Sequence, residues 1–368
     1  MLHASCLGVS MKYCVLGAGL MGKAIAFDLL QQENTNKVIL ADNNPEELKK
    51  AKDFLASNRL ETSIFNAKNE SEVEALFKEV DAAVAAIYYG FNVTFTKLAI
   101  KTKTHLCDLG GNNTVVDEQL KLTKEAETAG VSIIPDCGLA PGMVAVLVKW
   151  GIEKFNWVDS VKIRVGGLPL NPKNKLKYER LFSVDGLINE YIEPVRLLRN
   201  GRIETVEPLI EIEEIEFPPP FQKLEAFTTS GGTSTLIETY KNRLKNLDYK
   251  TIRYPGHCSE IKELQMKGLF SHQYFEENLP LCKEDVTLVK IIFEGNSKKH
   301  ELTIVDKAKP PFTSMMRTTA FPAAIISHMQ AKGEIKCLGV LPQEQCVPVD
   351  LFINALRKRE IIIHGIEI

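Results

Sequence analysis

The stretch that most constrains this fold is residues 13–22, YCVLGAGLMG, in which three glycines are spaced as G-x-G-x-x-G. An apolar run, Met11–Leu16, precedes the glycines, and a segment with helical apolar periodicity, Leu20–Leu30, follows them. This order predicts a buried strand, a tight turn and a helix, which is the context in which such glycines bind a dinucleotide.

Each glycine of the turn has a predicted role. Gly17 allows the tight turn, Gly19 lets the backbone approach a pyrophosphate, and Gly22 lets helix and strand pack closely. The helix start, at Leu20 and Met21, offers unpaired N–H groups to the phosphates. We therefore predict that these five residues bind the cofactor, mostly through their backbone. The alternative is a tight turn without a ligand.

An acidic residue follows the second predicted strand. Residues 38–41 are apolar and end at Asp42, which lies 20 residues beyond Gly22, where a carboxylate meets the hydroxyls of the adenosine ribose. A 2'-phosphate would be repelled there, and Asn43 and Asn44 supply no cation to offset the repulsion. The sequence therefore predicts NAD as the cofactor.

Charge and hydropathy exclude several classes of function. Lys and Arg total 45 against 47 Asp and Glu, without the basic stripe of a nucleic-acid-binding protein, so we expect a small-molecule partner. No apolar stretch reaches the roughly 18 residues of a membrane span, and residues 1–10 lack the pattern of a secretory signal. We expect a cytoplasmic protein. Met11 could be the initiator, and we expect no function to depend on residues 1–10.

The cysteines carry no metal-binding or disulfide pattern. No C-x-x-C pair occurs, which favours reduced thiols and predicts neither a disulfide framework nor a metal site. The eight cysteines are Cys6, Cys14, Cys107, Cys137, Cys258, Cys282, Cys337 and Cys346.

The order of predicted elements indicates two domains. Strands alternate with helices to about residue 150, which predicts a Rossmann-type doubly wound parallel sheet in an α/β fold. A second α+β domain with a mainly antiparallel sheet follows. We predict an NAD-binding Rossmann domain over residues 11–150, a substrate-binding and dimerisation domain over 151–312, and a C-terminal segment, 313–368, that returns to the Rossmann domain. Because antiparallel sheets often form dimer interfaces, we expect a homodimer.

Loops that follow the strands of such a sheet bind its ligands. Tyr88 follows the fourth strand, where the ribose would lie, although an exposed tyrosine capping the sheet edge is an equal alternative. Asp108 and Asn112 lie in DLGGN after the fifth strand, where they could reach the nicotinamide amide or the substrate.

The sixth strand is followed by PDCGLAPG, residues 135–142. Asp136 could orient a cationic amine, and the alternative is that it caps the turn. Cys137 is predicted to line the substrate site as a small buried thiol without a nucleophilic role.

Several separated motifs resemble the lysine 6-dehydrogenase branch of the saccharopine dehydrogenase family. The resemblance implies NAD-dependent oxidative deamination of the ε-amino group of L-lysine to 2-aminoadipate 6-semialdehyde, with release of ammonia and NADH. The sibling branch, which makes or splits saccharopine, typically has GLDPG and uses NADP, whereas this chain has Ala140 in that acidic position and Asp42 in the nucleotide domain. The motifs are DLGGN, PDCGLAPG, GGLP at 166–169, FSVDGLINEY at 182–191, EAFTTSGGTSTL at 225–236, YKTIRYPGH at 249–257 and RTTAFPAAI from Arg317.

Amine oxidation requires a proton acceptor and a cation for the substrate carboxylate. In RYPGH, His257 is the candidate general base, and Arg253 is the candidate carboxylate clamp because a guanidinium binds carboxylates bidentately. A structural, hydrogen-bonded histidine and an arginine in a surface salt bridge are the alternatives. Tyr178, Glu190 and Tyr191 are expected to line the site or an interface.

A second glycine-rich loop occupies residues 228–232, TTSGG. We predict that Thr229, Gly231 and Gly232 bind the substrate carboxylate ahead of a helix that starts near Thr233. The alternative is an N-capped helix after a turn.

Two other functions stay open from the sequence. One is a saccharopine dehydrogenase or reductase acting on a secondary amine. The other is a non-catalytic NAD-binding protein that regulates a partner.

Overall fold

The computed structural model describes residues 10–366, so the expectations for the first nine residues, including Cys6, lie outside the described residues. The chain divides into two compact units. The first comprises the chain up to Gly138 together with Thr319–Pro348, and the second comprises Leu139–Thr318 together with the residues from Val349 onward.

The first unit contains a parallel sheet, and its elements are numbered here in chain order over both units. The strand order is β15-β6-β5-β4-β1-β2-β3, and every pairing is parallel. The order reverses beside β1, as in doubly wound sheets, and this confirms the predicted Rossmann-type fold class. The strands are β1 (Met11–Leu16), β2 (Thr35–Asp42), β3 (Leu60–Ile64), β4 (Ala82–Ala85), β5 (His105–Asp108), β6 (Ser132–Ile134) and β15 (Gly339–Val340).

Helices cover this sheet because its strands are apolar on both faces, and their side chains form one core with the strands. Asparagine side chains cap three of these helices: the Asn44 side chain, for example, accepts the amides of Glu46 and Glu47 at the start of α2. The helices of this unit are α1 (Leu20–Leu30), α2 (Pro45–Leu55), α3 (Glu70–Lys78), α4 (Asn92–Thr102), α5 (Asn113–Leu120), α6 (Thr123–Ala129) and α13 (Gln343–Cys346).

The second unit contains a mixed sheet. Its main path is β10-β11-β12-β7-β13-β14, with β8 pairing with β12 and β9. The β7–β12 pair is parallel and the other named pairs are antiparallel, in agreement with the predicted mainly antiparallel sheet. The strands are β7 (Ser160–Pro169), β8 (Val195–Arg199), β9 (Arg202–Val206), β10 (Glu213–Phe217), β11 (Gln222–Thr228), β12 (Asn246–Arg253), β13 (Asp285–Gly295) and β14 (Lys298–Lys307).

This mixed sheet is strongly curled. Lys290 on β13 donates from Nζ to the Glu216 carbonyl on β10 at 2.8 Å, although three strands separate β10 from β13 in the sheet. Arg164 on β7, which is 2% exposed, forms an ion pair with Glu213 on β10, and Lys250 on β12 reaches the same carboxylate at 2.9 Å. The curled face encloses an apolar core of Leu168, Ile215, Phe217, Phe221, Leu224, Ala226, Ile252, Val286 and Leu288.

The helices of the second unit include the helix that follows residue 143. A Cβ added at Gly151 would lie 2.2 Å from the Phe293 ring on β13, so this helix packs tightly on the mixed sheet. The units therefore divide at residues 138/139, earlier than the predicted 150/151. The helices are α7 (Val144–Lys154), α8 (Val184–Ile192), α9 (Leu236–Tyr240), α10 (His257–Met266), α11 (His272–Asn278) and α14 (Val349–Lys358).

One long helix, α12 (Ser314–Ala331), contains the division between residues 318 and 319. In the second unit its start is capped by Asp285, whose carboxylate accepts the amides of Ser314 at 2.5 Å and Met315 at 2.8 Å. Arg317 of the RTTAFPAAI motif forms an ion pair with Asp306 at 3.0 Å, and both side chains are buried. This motif therefore secures the start of α12 within the second unit.

The C-terminal segment is shared between the units. Residues 319–348 cluster with the first unit, where Gly339 pairs with Ser132 and extends the parallel sheet. Residues from 349 onward cluster with the second unit, where α14 contacts α7 and His364 pairs with Thr303. The predicted return of the whole segment 313–368 to the Rossmann domain thus applies to its middle part.

Two further observations concern membrane-spanning helices and the thiols. Over residues 10–366, no helix combines the length and the apolar character needed to cross a membrane. The seven cysteines in this range are free, and all but Cys337 are buried.

Candidate functional site

The glycine-rich turn joins β1 to α1. Gly17 has φ of +105°, and a Cβ there would lie 2.5 Å from the Ala86 carbonyl oxygen, while a Cβ on Gly22 would lie 1.8 Å from the Gly17 oxygen. These two positions require glycine for the fold itself. A Cβ on Gly19 would meet nothing within 4 Å, and this residue is exposed. Gly19 therefore leaves open space over the turn.

The turn is tied to the end of β2. Oδ2 of Asp42 accepts the Ala18 amide at 2.6 Å, and Oδ1 accepts the Asn44 amide at 2.8 Å. No side chain caps the start of α1, where Leu20 and Met21 follow Gly19. Uncapped helix amides, an open glycine and a carboxylate beside the turn fit a dinucleotide, with phosphates at the helix start and ribose hydroxyls at Asp42.

Asp108, at the end of β5, organises the two loops that follow β5 and β6. Oδ1 accepts the Gly110 amide at 2.7 Å and the Asp136 amide at 3.1 Å, and Oδ2 accepts Nε2 of Gln119 at 2.8 Å. The side chain is fully buried, and burial raises the pKa of Asp108, with the hydrogen bond from Gln119 acting in the opposite direction. This carboxylate is therefore occupied in holding the backbone that surrounds it.

Asp136 adopts an unusual backbone conformation, with φ of +62°. Its side chain is almost fully buried and lies over the glycine turn of the neighbouring loop: a Cβ on Gly110 would be 1.7 Å from Oδ1 of Asp136. Gly110 itself has φ of +71°. The two loops thus interlock, and Gly110 is the residue that makes room for the Asp136 carboxylate.

The other predicted residues of the first unit lie around these loops. Oδ1 of Asn112 accepts the Val115 amide at 3.2 Å as the N-cap of α5. Tyr88 is 55% exposed after β4, and its ring lies 4.5 Å from that of Tyr89. Cys137 is fully buried, with Sγ 3.2 Å from the Ile134 carbonyl, and burial raises the pKa of its thiol far above the ordinary value. This thiol is protonated and inert at neutral pH.

In the second unit, Arg253 and His257 belong to one buried network. Arg253 donates from Nε to the Tyr191 hydroxyl at 3.0 Å, from Nη1 to the Ile252 carbonyl at 3.0 Å and from Nη2 to Glu190 at 3.1 Å. Only 2% of Arg253 is exposed. The guanidinium is therefore buried and bound by groups of the protein, and it does not form the surface salt bridge considered as an alternative.

His257 is buried at the start of α10 with both ring nitrogens engaged. Nδ1 lies 2.8 Å from the Leu176 carbonyl, and Nε2 lies 3.0 Å from the Tyr191 hydroxyl. Because a carbonyl can only accept, the proton is on Nδ1, and Nε2 of the neutral ring accepts from Tyr191. Burial, reinforced by the Arg253 charge, lowers the pKa of His257 to about 3. The imidazole is therefore neutral at physiological pH.

Glu190 supplies the carboxyl group of this network, and 25% of its side chain is exposed. Burial raises the pKa of Glu190, while the charge of Arg253 acts in the opposite direction. Glu190 was predicted only as lining, and its role beside Arg253 was not foreseen. The clue in the sequence is Glu190–Tyr191 at the end of an amphipathic helix, where the tyrosine continues the buried face of Val184 and Leu187.

Aromatic rings close the network. The Arg253 guanidinium carbon lies 4.8 Å from the centroid of the Tyr178 ring, and the ring of His257 packs edge-on to Tyr178 at 5.5 Å. Phe227 stacks on His257 at 6.3 Å. Tyr178 is thus brought together with both RYPGH residues.

The polar side chains of the loop over residues 228–232 bond to neighbouring segments of the second unit. The hydroxyls of Thr229 and Thr251 lie 2.6 Å apart, and a Cβ on Gly232 would lie 2.3 Å from the Tyr249 ring. Gly231, with φ of +89°, has open space around it. The following helix, α9, begins at Leu236 and not near Thr233 because residues 232–235 form a turn, and its five residues are too short for a strong dipole.

The predicted site residues therefore form two groups, each within one unit. Asp108, Asp136 and Cys137 are brought together by the parallel sheet, whereas Arg253, His257 and Tyr178 share the buried network of the second unit. Within residues 10–366, no three His, Cys, Asp or Glu side chains are grouped so that they could hold a metal ion.

These features define a protein with a Rossmann-type dinucleotide-binding unit and a second α+β unit built on a mixed sheet. The first unit matches the saccharopine dehydrogenase NADP binding domain over residues 13–134, and residues 138–362 match the saccharopine dehydrogenase C-terminal domain. The chain belongs to the saccharopine dehydrogenase family. This confirms the predicted family and an NAD(P)-type nucleotide site.

Curated relatives are distant. The alpha-aminoadipic semialdehyde synthase, mitochondrial, of Bos taurus is 25% identical over 288 residues, which cover 74% of this chain and 30% of that protein. The saccharopine dehydrogenase [NADP(+), L-glutamate-forming] of Saccharomyces cerevisiae is 21% identical over 263 residues, which cover 69% of this chain and 57% of that protein. The chain thus spans about a third to just over half the length of these relatives.

Solved structures share the fold. Apo saccharopine dehydrogenase (L-Glu forming) from Saccharomyces cerevisiae has a TM-score of 0.78 at 17% identity, over 97% of this chain and all of that chain. Homospermidine synthase from Legionella pneumophila, in complex with NAD, has a TM-score of 0.70 at 13% identity, over 97% of this chain and 91% of that chain.

The interlocked loops lead to a stability prediction for Gly110→Ala. Both this variant and Gly130→Ala place a Cβ at φ near +75°, and each should lose about 1–2 kcal/mol of unfolding free energy for that reason. Gly130 has open space around it, whereas the new methyl at residue 110 must displace the Asp136 carboxylate. We expect Gly110→Ala to lose about 1–3 kcal/mol more than Gly130→Ala in urea unfolding.

Equal losses in the two glycine variants would show that the Asp136 side chain moves aside without cost, and the interlock would then have no energetic weight.

Proposed function

We propose that this protein is an NAD-dependent amine dehydrogenase that oxidises the ε-amino group of L-lysine. The reaction removes a hydride from the carbon that bears the ammonium and a proton from its nitrogen, and water then releases ammonia and 2-aminoadipate 6-semialdehyde. When bound, NAD supplies the hydride acceptor. The proposal rests on the family match together with the two groups of side chains described above.

The observation that carries the cofactor assignment is the position of Asp42. Its carboxylate accepts the Ala18 amide of the glycine turn and is therefore held beside the place where the adenosine ribose binds. Asn43 and Asn44 follow, so no basic residue occupies the next two positions to attract a 2'-phosphate. These features support NAD over NADP, although the matching family model is named for NADP.

Glu190 is the residue that supports proton removal from the substrate ammonium. A partly exposed carboxylate with a raised pKa is suited to accept a proton from an ammonium. Arg253 donates a hydrogen bond to Glu190 and another to the Tyr191 hydroxyl. Tyr191 in turn donates to His257, so this chain of hydrogen bonds orients Arg253. We therefore assign the general-base role to Glu190 and a positioning role to His257, in place of the His257 base expected from sequence.

Oxidation of saccharopine is the second candidate, and the curated relatives favour it. The yeast relative is named as a saccharopine dehydrogenase, and the bovine relative as an alpha-aminoadipic semialdehyde synthase. Saccharopine is a secondary amine with three carboxylates, so its site needs more cations than a lysine site. The one arginine of the described network is already paired with Glu190, so lysine would bring one carboxylate without a cation from this network and saccharopine would bring three, which favours the smaller substrate.

The cofactor assignment is tested with Asp42→Asn. Loss of the charge should weaken NAD binding and relieve the repulsion of NADP, so that the ratio of the two dissociation constants shrinks by on the order of tenfold, or about 1.4 kcal/mol. Asp53→Asn, on the exposed surface of α2, is the matched loss of charge and should leave the ratio unchanged. Titration calorimetry measures both constants, and an unchanged ratio in Asp42→Asn would remove this residue from cofactor selection.

The base assignment is tested with Glu190→Gln. A base acts in its deprotonated form, so kcat/KM should rise with pH through the Glu190 pKa, which lies above the ordinary glutamate value of about 4.3. Glu190→Gln should lower kcat by on the order of 100-fold or more and abolish this acid limb of the profile. Asp185→Asn, at the exposed start of the same helix, should keep the wild-type profile.

His257→Gln separates positioning from base catalysis. If His257 only accepts from Tyr191, glutamine preserves an acceptor and the acid limb stays in place, with a moderate loss of rate. An acid limb that vanishes in His257→Gln but persists in Glu190→Gln would return the base role to the histidine.

The substrate is tested by following NADH absorbance with L-lysine, saccharopine and polyamines in parallel. We expect turnover with lysine and a yield of one ammonia per NADH. Consumption of saccharopine without lysine oxidation would establish the second candidate. Tight NAD binding without turnover of any amine would instead support a regulatory nucleotide-binding protein.

A further inference from the structure

A cavity of about 450 Å³ lies in the second unit, away from the residues assigned above. It is formed by the loop after β7, the turn between β10 and β11, and the residue that follows β12. This volume is within the range of small-molecule sites in proteins. The lining residues are Leu170, Asn171, Pro172, Lys173, Pro220, Phe221 and Tyr254.

The cavity continues the apolar core of the curled face. Phe221 belongs to that core, and Leu170 and Tyr254 pack against it. The Tyr254 hydroxyl donates to the Pro169 carbonyl at 2.9 Å, which fixes the ring in the cavity wall. The pocket therefore borders the apolar core of the curled face and is open to solvent on its other side.

This cavity is on the opposite side of the sheet from the Arg253 network. Ile252 belongs to the curled face, and neighbouring residues of a strand point to opposite faces, so Arg253 points away from it. Tyr254 is again on the side of Ile252. A ligand in the cavity therefore does not require the residues that we assign to amine oxidation.

The chemistry of the lining is apolar with one positive charge. Two proline rings, two aromatic rings and a leucine supply the walls, which suits stacking of a planar apolar body. Lys173 is exposed at the rim, and none of the ion pairs found among residues 10–366 includes it. None of the seven lining residues is acidic. An organic anion is therefore favoured over a cation or a sugar.

We propose that this cavity is a binding site for a small carboxylate with an aromatic or apolar body, which lies against the proline and aromatic side chains of the lining and whose carboxylate pairs with Lys173. The site is separate from the proposed dehydrogenase chemistry and does not depend on it.

The test is photoaffinity labelling of the full-length chain with 4-benzoylbenzoate, an aromatic carboxylate, followed by peptide mass spectrometry. We expect labelling within residues 170–173 or 220–221. Labelling should be competed by 4-phenylbutyrate and several-fold less by 4-phenylbutan-1-ol, which has the same body without the charge. Lys173→Glu should reduce labelling by more than about fivefold, because an attractive rim charge becomes repulsive.

Lys223→Glu is the control for charge reversal, since Lys223 is 65% exposed on β11 and is not part of the cavity. It should label like the wild type. Labelling confined to other regions, no saturable labelling, or cavity labelling that Lys173→Glu leaves unchanged would each overturn the proposal. Because Lys173 is exposed, its replacement should preserve the fold, and an unchanged melting temperature confirms this.

Discussion

The first unit depends on one buried carboxylate, that of Asp108. A buried ionisable group is tolerated only when its hydrogen-bonding capacity is used, and Asp108 accepts two backbone amides and one side-chain amide from three segments. Two of these segments are the loops after β5 and β6. Their positions are thus set by the same side chain, and Asp136 is held over Gly110 as a result.

The second unit also contains a buried charged group, the guanidinium of Arg253. A guanidinium that is 2% exposed must be compensated, and here a carboxylate, a phenol and a carbonyl supply the partners. The neutral imidazole of His257 completes the chain by accepting from Tyr191. Each member orients the next, so Glu190 is left as the accessible end of an otherwise enclosed network. Burial raises the pKa of this carboxyl, while a quarter of the Glu190 side chain stays exposed.

Much of the fold was predictable because it depends on local patterns. The glycine spacing, the apolar strands and the alternation of strands and helices led to the correct fold class, and the motifs led to the correct family. The shared C-terminal segment was harder, since a two-residue strand such as Gly339–Val340 has no periodicity to detect. The early division after Gly138 was also missed, because the tight contact of Gly151 with Phe293 joins residues distant in sequence.

The sequence by itself determined the dinucleotide turn, since Gly22 meets the Gly17 backbone within one strand-turn-helix unit and Asp42 lies one strand away. The sequence also identified Arg253 and His257 as candidate site residues. Only the tertiary structure decided what their side chains do, because burial and partners are supplied by α8 and by the loop that carries Leu176. Burial, together with the Arg253 charge, lowers the pKa of His257 from an ordinary value of about 6.5 to about 3. The charge states of buried groups depend on contacts between segments that are distant in sequence. The local sequence pattern does not show those contacts.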